Sequence, residues 1–123
     1  MKKMTNEQRN EMLAREIREW LLKNRMWQDV TIYFNGKAYS TDDGGHHYTN
    51  DPEHLIELDN VNPLDYFKYV NPETVSMSFE GMLYDVLNSY DDDPLEMEFS
   101  KLFEKYGLYY ELGNAWNLTC GEI

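Results

Sequence analysis

The stretch Val30-Thr31-Ile32-Tyr33-Phe34-Asn35-Gly36-Lys37-Ala38-Tyr39-Ser40 decides the architecture. Val30, Ile32 and Phe34 alternate with Thr31 and Tyr33, the period-two pattern of a strand with one face turned to a core. Asn35-Gly36 follows at once. Both central positions of a two-residue type I′ turn need positive φ, which asparagine and glycine tolerate best. The chain is therefore expected to return through Lys37–Ser40, with Ile32 opposite Tyr39 and Phe34 opposite Lys37.

Upstream of this hairpin, Leu13, Ile17, Trp20 and Leu21 recur at helical spacing and predict an amphipathic helix over about Asn6–Lys23. Thr5 with Gln8 forms a T-x-x-Q capping box at its start. Glu11–Arg15 and Glu19–Lys23 stand at i,i+4 with the acid first, the favourable order. Downstream, residues 42–54 are polar and glycine-containing and read as a loop, and Leu55–Leu58 reads as a third strand. Asn62-Pro63 suits the N-cap and first position of a short helix carrying Leu64, Phe67 and Val70, which Asn71-Pro72 would end. Val75, Met77 and Phe79 alternate with Thr74, Ser76, Ser78 and Glu80, predicting a strand with one apolar and one wet face.

After Gly81, the spacing of Leu83, Val86, Leu87 and Tyr90 turns helical. Asp93 and Pro94 then fit the N-cap and first position of a helix with Leu95, Phe99, Leu102, Phe103 and Tyr106 on one side and Gly107 as its stop. A last hairpin, Leu108–Leu112 with Ala115–Cys120, is expected to turn at Gly113-Asn114. This order gives one α+β domain over 1–123, an antiparallel or mixed sheet of two hairpins and further strand(s) with three to four helices on one face.

The chain has 123 residues, 41% hydrophobic and 15% aromatic, enough for a core and too much for a disordered acidic chain. No run approaches the roughly 18 apolar residues of a membrane span. The opening MKKMTNEQRNEML lacks the apolar segment of a signal peptide, and a single cysteine, Cys120, fits a reducing compartment, so a cytoplasmic location is expected.

Charge is unevenly distributed. Residues 1–37 hold eight bases (Lys2, Lys3, Arg9, Arg15, Arg18, Lys23, Arg25, Lys37) and five acids, a net of +3. Residues 38–123 hold three bases (Lys68, Lys101, Lys105) and eighteen acids, a net of -15, so the whole chain stands at -12. Direct binding of nucleic acid or an anionic membrane by this acidic body is disfavoured, since phosphate contacts need clustered Lys and Arg. The basic side of the first helix could dock the acidic body of a second copy or touch nucleic acid, but its interleaved glutamates favour a solvated face.

The motifs of chemistry are sparse. His46, His47 and His54, with Asp42, Asp43, Asp51 and Glu53 nearby, are the candidate metal ligands, at a spacing that matches no paired zinc motif. Cys120 would be a nucleophile only beside a histidine, and otherwise a small buried hydrophobe. Asp91-Asp92-Asp93 lacks the glycine and distal glutamate of a calcium loop. No phosphate-cradling glycine loop, nucleophile elbow or C-x-x-C occurs, so neither an enzyme nor a resident cofactor is expected.

The acids themselves are the candidate site. Asp85, Asp91, Asp92, Asp93, Glu96, Glu98 and Glu104 fall on or beside two consecutive helices, with Glu111 on the strand that follows. Asp59, Asp65 and Glu73, with Glu111, are second choices, and Glu73, Glu80 and Glu111 could lie on polar strand faces. Converging on one side, such carboxylates would imitate the charge density of duplex DNA, about one charge per 1.7 Å of axis. Like charges crowded together cost folding stability, so a single-signed face would call for a reason beyond solubility. Ten tyrosines exceed what a core of this size needs, and Tyr109, Tyr110 and Tyr90 are the expected aromatic anchors; Tyr84, Tyr90 and Tyr106 are also expected to fill core. On a strand, Tyr109 and Tyr110 must face opposite ways.

In composition and size the chain resembles the small acidic inhibitors that phages and mobile elements use against restriction or CRISPR nucleases. The resemblance implies a non-enzymatic nucleic-acid mimic whose partner is a basic nucleic-acid-binding protein such as a nuclease. The alternatives are an accessory interaction module, as a homodimer, whose acidity is incidental, and a metal-binding domain built on the histidine loop.

Overall fold

The computed structural model describes residues 4–41, 56–68, 70–88 and 94–123. In chain order these are α1 (Asn6–Lys23), β1 (Val30–Phe34), β2 (Lys37–Ser40), β3 (Ile56–Asp59), a 3-10 turn (Pro63–Asp65), β4 (Ser76–Phe79), α2 (Met82–Leu87), α3 (Pro94–Glu104), β5 (Leu108–Asn114) and β6 (Asn117–Glu122). The strands form one six-stranded sheet in the order β3-β2-β1-β4-β6-β5, with every neighbouring pair antiparallel. The fold is α+β, and the mixed-sheet alternative falls away.

The central hairpin follows its local chemistry. Asn35 (φ 51°) and Gly36 (φ 77°) make the turn, and Ile32 pairs Tyr39 and Phe34 pairs Lys37 as the turn length dictates. α1 begins where the capping box places it: the Gln8 amide donates to Thr5 Oγ1 at 3.1 Å, and the Thr5 amide donates to Gln8 Oε1 at 3.0 Å. Its stripe of Leu13, Ala14, Ile17, Trp20 and Leu21 is buried against Ile32, Phe34, Tyr39, Val75, Met77 and Phe79, and Phe99 and Phe103 of α3 continue that core over Leu108, Leu118 and Cys120. α3 ends at Glu104 and a turn follows to Gly107, whose φ of 75° carries the chain out of helical geometry into the next strand.

Four details depart from the expectations. The helix expected after Asn62-Pro63 is one 3-10 turn: Asn62 caps it through Leu64, but Leu64 points outward, and Phe67 and Val70 leave the helical path to pack on Tyr33 and Ala38. So short a helix cannot offset its nucleation cost, and the aromatic packing wins. The polar side of β4 is wet only toward its end, at Ser78 and Glu80. Thr74 and Ser76 are buried, with Ser76 Oγ 2.9 Å from Thr119 Oγ1 and the Thr74 hydroxyl donating to the Asn71 carbonyl at 3.1 Å.

The last hairpin turns at Ala115-Trp116, two residues later than expected. Gly113 takes up a register irregularity in β5, and the Asn114 and Asn117 side chains accept the Trp116 and Asn114 amides. Tyr84 is exposed rather than part of the core, because α2 ends at Leu87 with only Leu83 and Val86 buried. Leu55, Tyr90, Asp93 and the loop 42–54 lie outside the described residues.

Candidate functional site

α3 owes its position to Phe99 and Phe103, which are fully buried, with Leu95 and Leu102 packed partly buried against the same core and Lys101 exposed. Phe99 meets Trp20 of α1 at 5.4 Å, Phe103 at 5.0 Å and Tyr110 of β5 at 5.4 Å, so three elements share one aromatic junction. The acids of α3 are thereby held beside β5, the strand at one end of the sheet, and α2 packs against α3. Asp85, Glu98, Glu104 and Glu111 are exposed, and among the described residues no base pairs with Asp85, Glu104 or Glu111. Asp91, Asp92 and Asp93, the densest part of the expected acidic set, lie outside the described residues, as does Tyr90.

Two of the acids are also structural. The Tyr110 hydroxyl donates to Glu96 Oε1 at 2.5 Å, and Trp20 Nε1 donates to Glu98 Oε1 at 3.2 Å. Burial, and then the Glu96 carboxylate, raise the Tyr110 hydroxyl above its ordinary pKa. Tyr109 and Tyr110 do face opposite ways: Tyr109 is exposed, while the Tyr110 ring packs on Phe99 and Phe103. The ridge is not of one sign. Lys101 is exposed between Glu98 and Glu104, and Lys105 reaches Glu16 of α1 at 2.7 Å.

Several bases of the N-terminal third are engaged within the chain. Arg9 donates to the Glu73 carbonyl at 2.7 Å and lies 3.8 Å from Glu122; Arg15 pairs Glu11 at 3.2 Å, and Lys37 pairs Glu57 at 3.2 Å. Arg18 stacks over the Trp27 ring at 5.5 Å, and burial lowers its pKa. The bases along α1 and β2 therefore meet acids and rings of the same chain, with Lys23 and Arg25 left exposed. The second-choice acids Asp59, Asp65 and Glu73 are exposed at separate places in the fold, and so is Glu80.

The sheet face away from α1 carries a feature that sequence reading missed. Tyr33 meets Phe67 edge-on at 5.5 Å and Tyr66 at 6.0 Å, and Phe67 meets Trp116 at 5.5 Å. These four rings border a cavity of about 340 Å³ whose lining, among the described residues, includes Asp29 and Glu80 and no basic residue. Tyr33 and Phe67 are buried, whereas Tyr66 and Trp116 are 64% and 38% exposed, so the cavity has a fixed aromatic floor and open aromatic rims. Burial raises the Tyr33 hydroxyl above its ordinary pKa, while Ser78 and Thr31 pull the other way. The parts come from five separate places in the chain. The alternation that turns Tyr33 away from Ile32 and Phe34 was the one local signal available.

The remaining candidates separate cleanly. Cys120 is buried in the main core with its thiol pushed up to about 12, chiefly by burial, which matches the small-hydrophobe reading. Among the described residues no three His, Cys, Asp or Glu side chains are placed to hold a metal ion, and His46, His47 and His54 lie outside them. No described helix is long and apolar enough to cross a membrane. Comparison with known protein families, with characterised proteins and with solved structures finds no match for this chain.

Proposed function

We propose that the chain is a non-enzymatic inhibitor that occupies the basic nucleic-acid-binding surface of another protein, in the manner of phage and mobile-element antirestriction or anti-CRISPR proteins. The observation that carries this reading is where the charges go. Glu96, Glu98, Glu104 and Glu111 stand on adjacent elements at one end of the sheet with Asp85 on the helix beside them, so that acids outnumber the exposed Lys101, while Lys105 turns to Glu16 of α1 and Arg9, Arg15 and Lys37 pair with acids of the same chain. The exposed carboxylates of Asp85, Glu104 and Glu111, together with exposed Tyr109 and Tyr84, offer a partner both phosphate-like charge and stacking area.

The test immobilises the wild type and an Asp85→Lys/Glu104→Lys/Glu111→Lys variant and exposes both to the same lysate. The expected partner is retained by the wild type at low salt, is released by added duplex DNA, and is lost from the variant. A partner that duplex DNA does not displace, or that binds equally at low and physiological salt, overturns mimicry.

A second reading has its own support. Met82 of α2 and Met97 of α3 are about half exposed, at 49% and 54%, on helices that pack together, which suits an apolar contact between two copies. Sedimentation as a concentration-dependent dimer, abolished by Met82→Lys/Met97→Lys with the fold intact, would place function in that contact instead.

A further inference from the structure

The four-ring cavity on the second sheet face has the attributes of a receptor for one positively charged, flat group. Its volume of about 340 Å³ lies at the small end of the range of about 300–1,000 Å³ seen for ligand sites, too small for a folded element and adequate for one long side chain. The negative ring faces of Tyr33, Tyr66, Phe67 and Trp116 attract a cation placed over them. Asp29 and Glu80 add two carboxylates to the lining, and neither has a basic partner among the described residues.

The backbone that carries the two acids is fixed at this end of the sheet. The Glu80 amide donates to the Asp29 carbonyl at 3.0 Å, and the Phe79 amide donates to the Trp116 carbonyl at 2.8 Å, which ties both acids and one aromatic rim to the end of β4. Asp29 sits at φ 54°, a left-handed conformation that aspartate and asparagine tolerate better than most residues. A bare anion would be repelled by this lining, and a neutral apolar group would leave both carboxylates unused.

We propose that this cavity is the socket for an arginine side chain of the partner protein. Arginine fits better than lysine because its guanidinium is planar, stacks on aromatic faces, sheds water more readily and offers paired donors to a carboxylate. The socket deepens the reading of a basic partner and rests on it for the identity of the arginine's owner. It lies on the sheet face opposite α1, so the partner contacts it separately from the acids of α3 and β5.

The experiment uses the full chain and small probes, and so does not depend on finding the partner. N-acetyl-arginine amide is titrated against N-acetyl-citrulline amide, which has the same shape without the charge, with two-dimensional NMR and tryptophan emission as readouts. Trp20 and Trp27 are 8% and 1% exposed, so Trp116 is the tryptophan a surface probe can reach. The expected result is saturable perturbation of Trp116, Tyr33 and Tyr66 resonances by the arginine probe, at least tenfold weaker with the citrulline probe. The Glu80→Gln/Asp29→Asn variant should also weaken it at least tenfold, with an unchanged spectrum in the absence of probe. Tyr66→Ala, which removes one rim from a 64% exposed position, should weaken binding severalfold without loss of fold. Equal response to both probes, or arginine-induced shifts confined to α3 and β5, overturns the socket; the second outcome would still leave the acidic-ridge reading standing.

Discussion

Replacing Phe99 with alanine tests the junction that places the acidic helix. The side chain is fully buried and touches aromatic rings from α1, α3 and β5, so its removal leaves a void that three elements must share. A Phe→Ala change in such a site costs about 3–5 kcal/mol, and the loss of three ring contacts argues for the upper half of that range. A chain of this length is expected to be stable by roughly 6–18 kcal/mol at 0.05–0.15 kcal/mol per residue, so the variant should still fold. With a urea slope of about 2 kcal/mol/M, the middle of the usual range, the unfolding midpoint should fall by about 2–2.5 M at unchanged slope. Urea titrations followed by circular dichroism and by tryptophan emission should superimpose, because Trp20 shares the site. Leu64→Ala serves as the control: Leu64 is 51% exposed, and surface changes stay within about 0.5 kcal/mol. A midpoint shift for Phe99→Ala no larger than that of the control would mean that α3 is not docked as described, and the placement of Glu96, Glu98 and Glu104 would lose its basis.

Thr5→Ala removes the side-chain half of the α1 capping box and should cost about 1 kcal/mol, read as a melting temperature lower by a few degrees; no change would show that the box is not formed in solution. At Gly81, an added Cβ would stand 2.5 Å from the backbone oxygen of Gln28, which cannot swing aside as a side chain would, so Gly81→Ala should destabilise by about 1–3 kcal/mol in urea titrations. A neutral result there would contradict the close approach of that turn to the end of β4. Stability should also decline at alkaline pH. The Cys120 thiol and the Tyr106 hydroxyl are raised from ordinary values of 9.0 and 10.0 to about 12, mainly by burial, and the unfolded chain gives up those protons first. Their contribution is complete below pH 9 and is lost between about pH 9 and 12; Cys120→Ala should flatten the early part of that decline, and an identical pH profile would refute the burial argument.

What could be read in advance was local. The α1 limits follow from a cap and a stripe within one segment, and the β1–β2 register follows from a two-residue turn, so neighbouring residues suffice for both. The register of β1 with β4 and the packing of Phe67 and Val70 on Tyr33 and Ala38 join segments far apart in the chain, which no periodicity announces. The Ala115-Trp116 turn has no turn-forming pair of its own; its geometry comes from asparagine side chains on either side. The acids of α3 and β5 were legible as composition, but their hydrogen bonds to Tyr110 and Trp20 were not, since those partners lie 14 and 78 residues away. The aromatic cavity was the least legible of all, because it needs the adjacency of β1, β4 and β6 before Tyr33, Glu80 and Trp116 can meet.

Salt acts with opposite sign on folding and on the proposed binding, and that difference makes the charge argument decidable. The ion pairs within the chain, Arg15–Glu11, Lys37–Glu57 and Lys105–Glu16, join partly exposed groups, so screening them removes little, at most about 1 kcal/mol each. A net charge of -12 on so small a chain stores self-repulsion that the same screening relieves, and the fold is expected to lose nothing overall between low and physiological salt. Loss of a partner over that range therefore cannot be ascribed to unfolding of the inhibitor; it reports charge at the interface. The arginine socket should respond less steeply than the exposed acids, because an aromatic floor shields its occupant from mobile ions. A partner that keeps a residual, salt-resistant grip abolished by Glu80→Gln, and a salt-sensitive one abolished at Asp85, Glu104 and Glu111, would separate the two faces as distinct contributors.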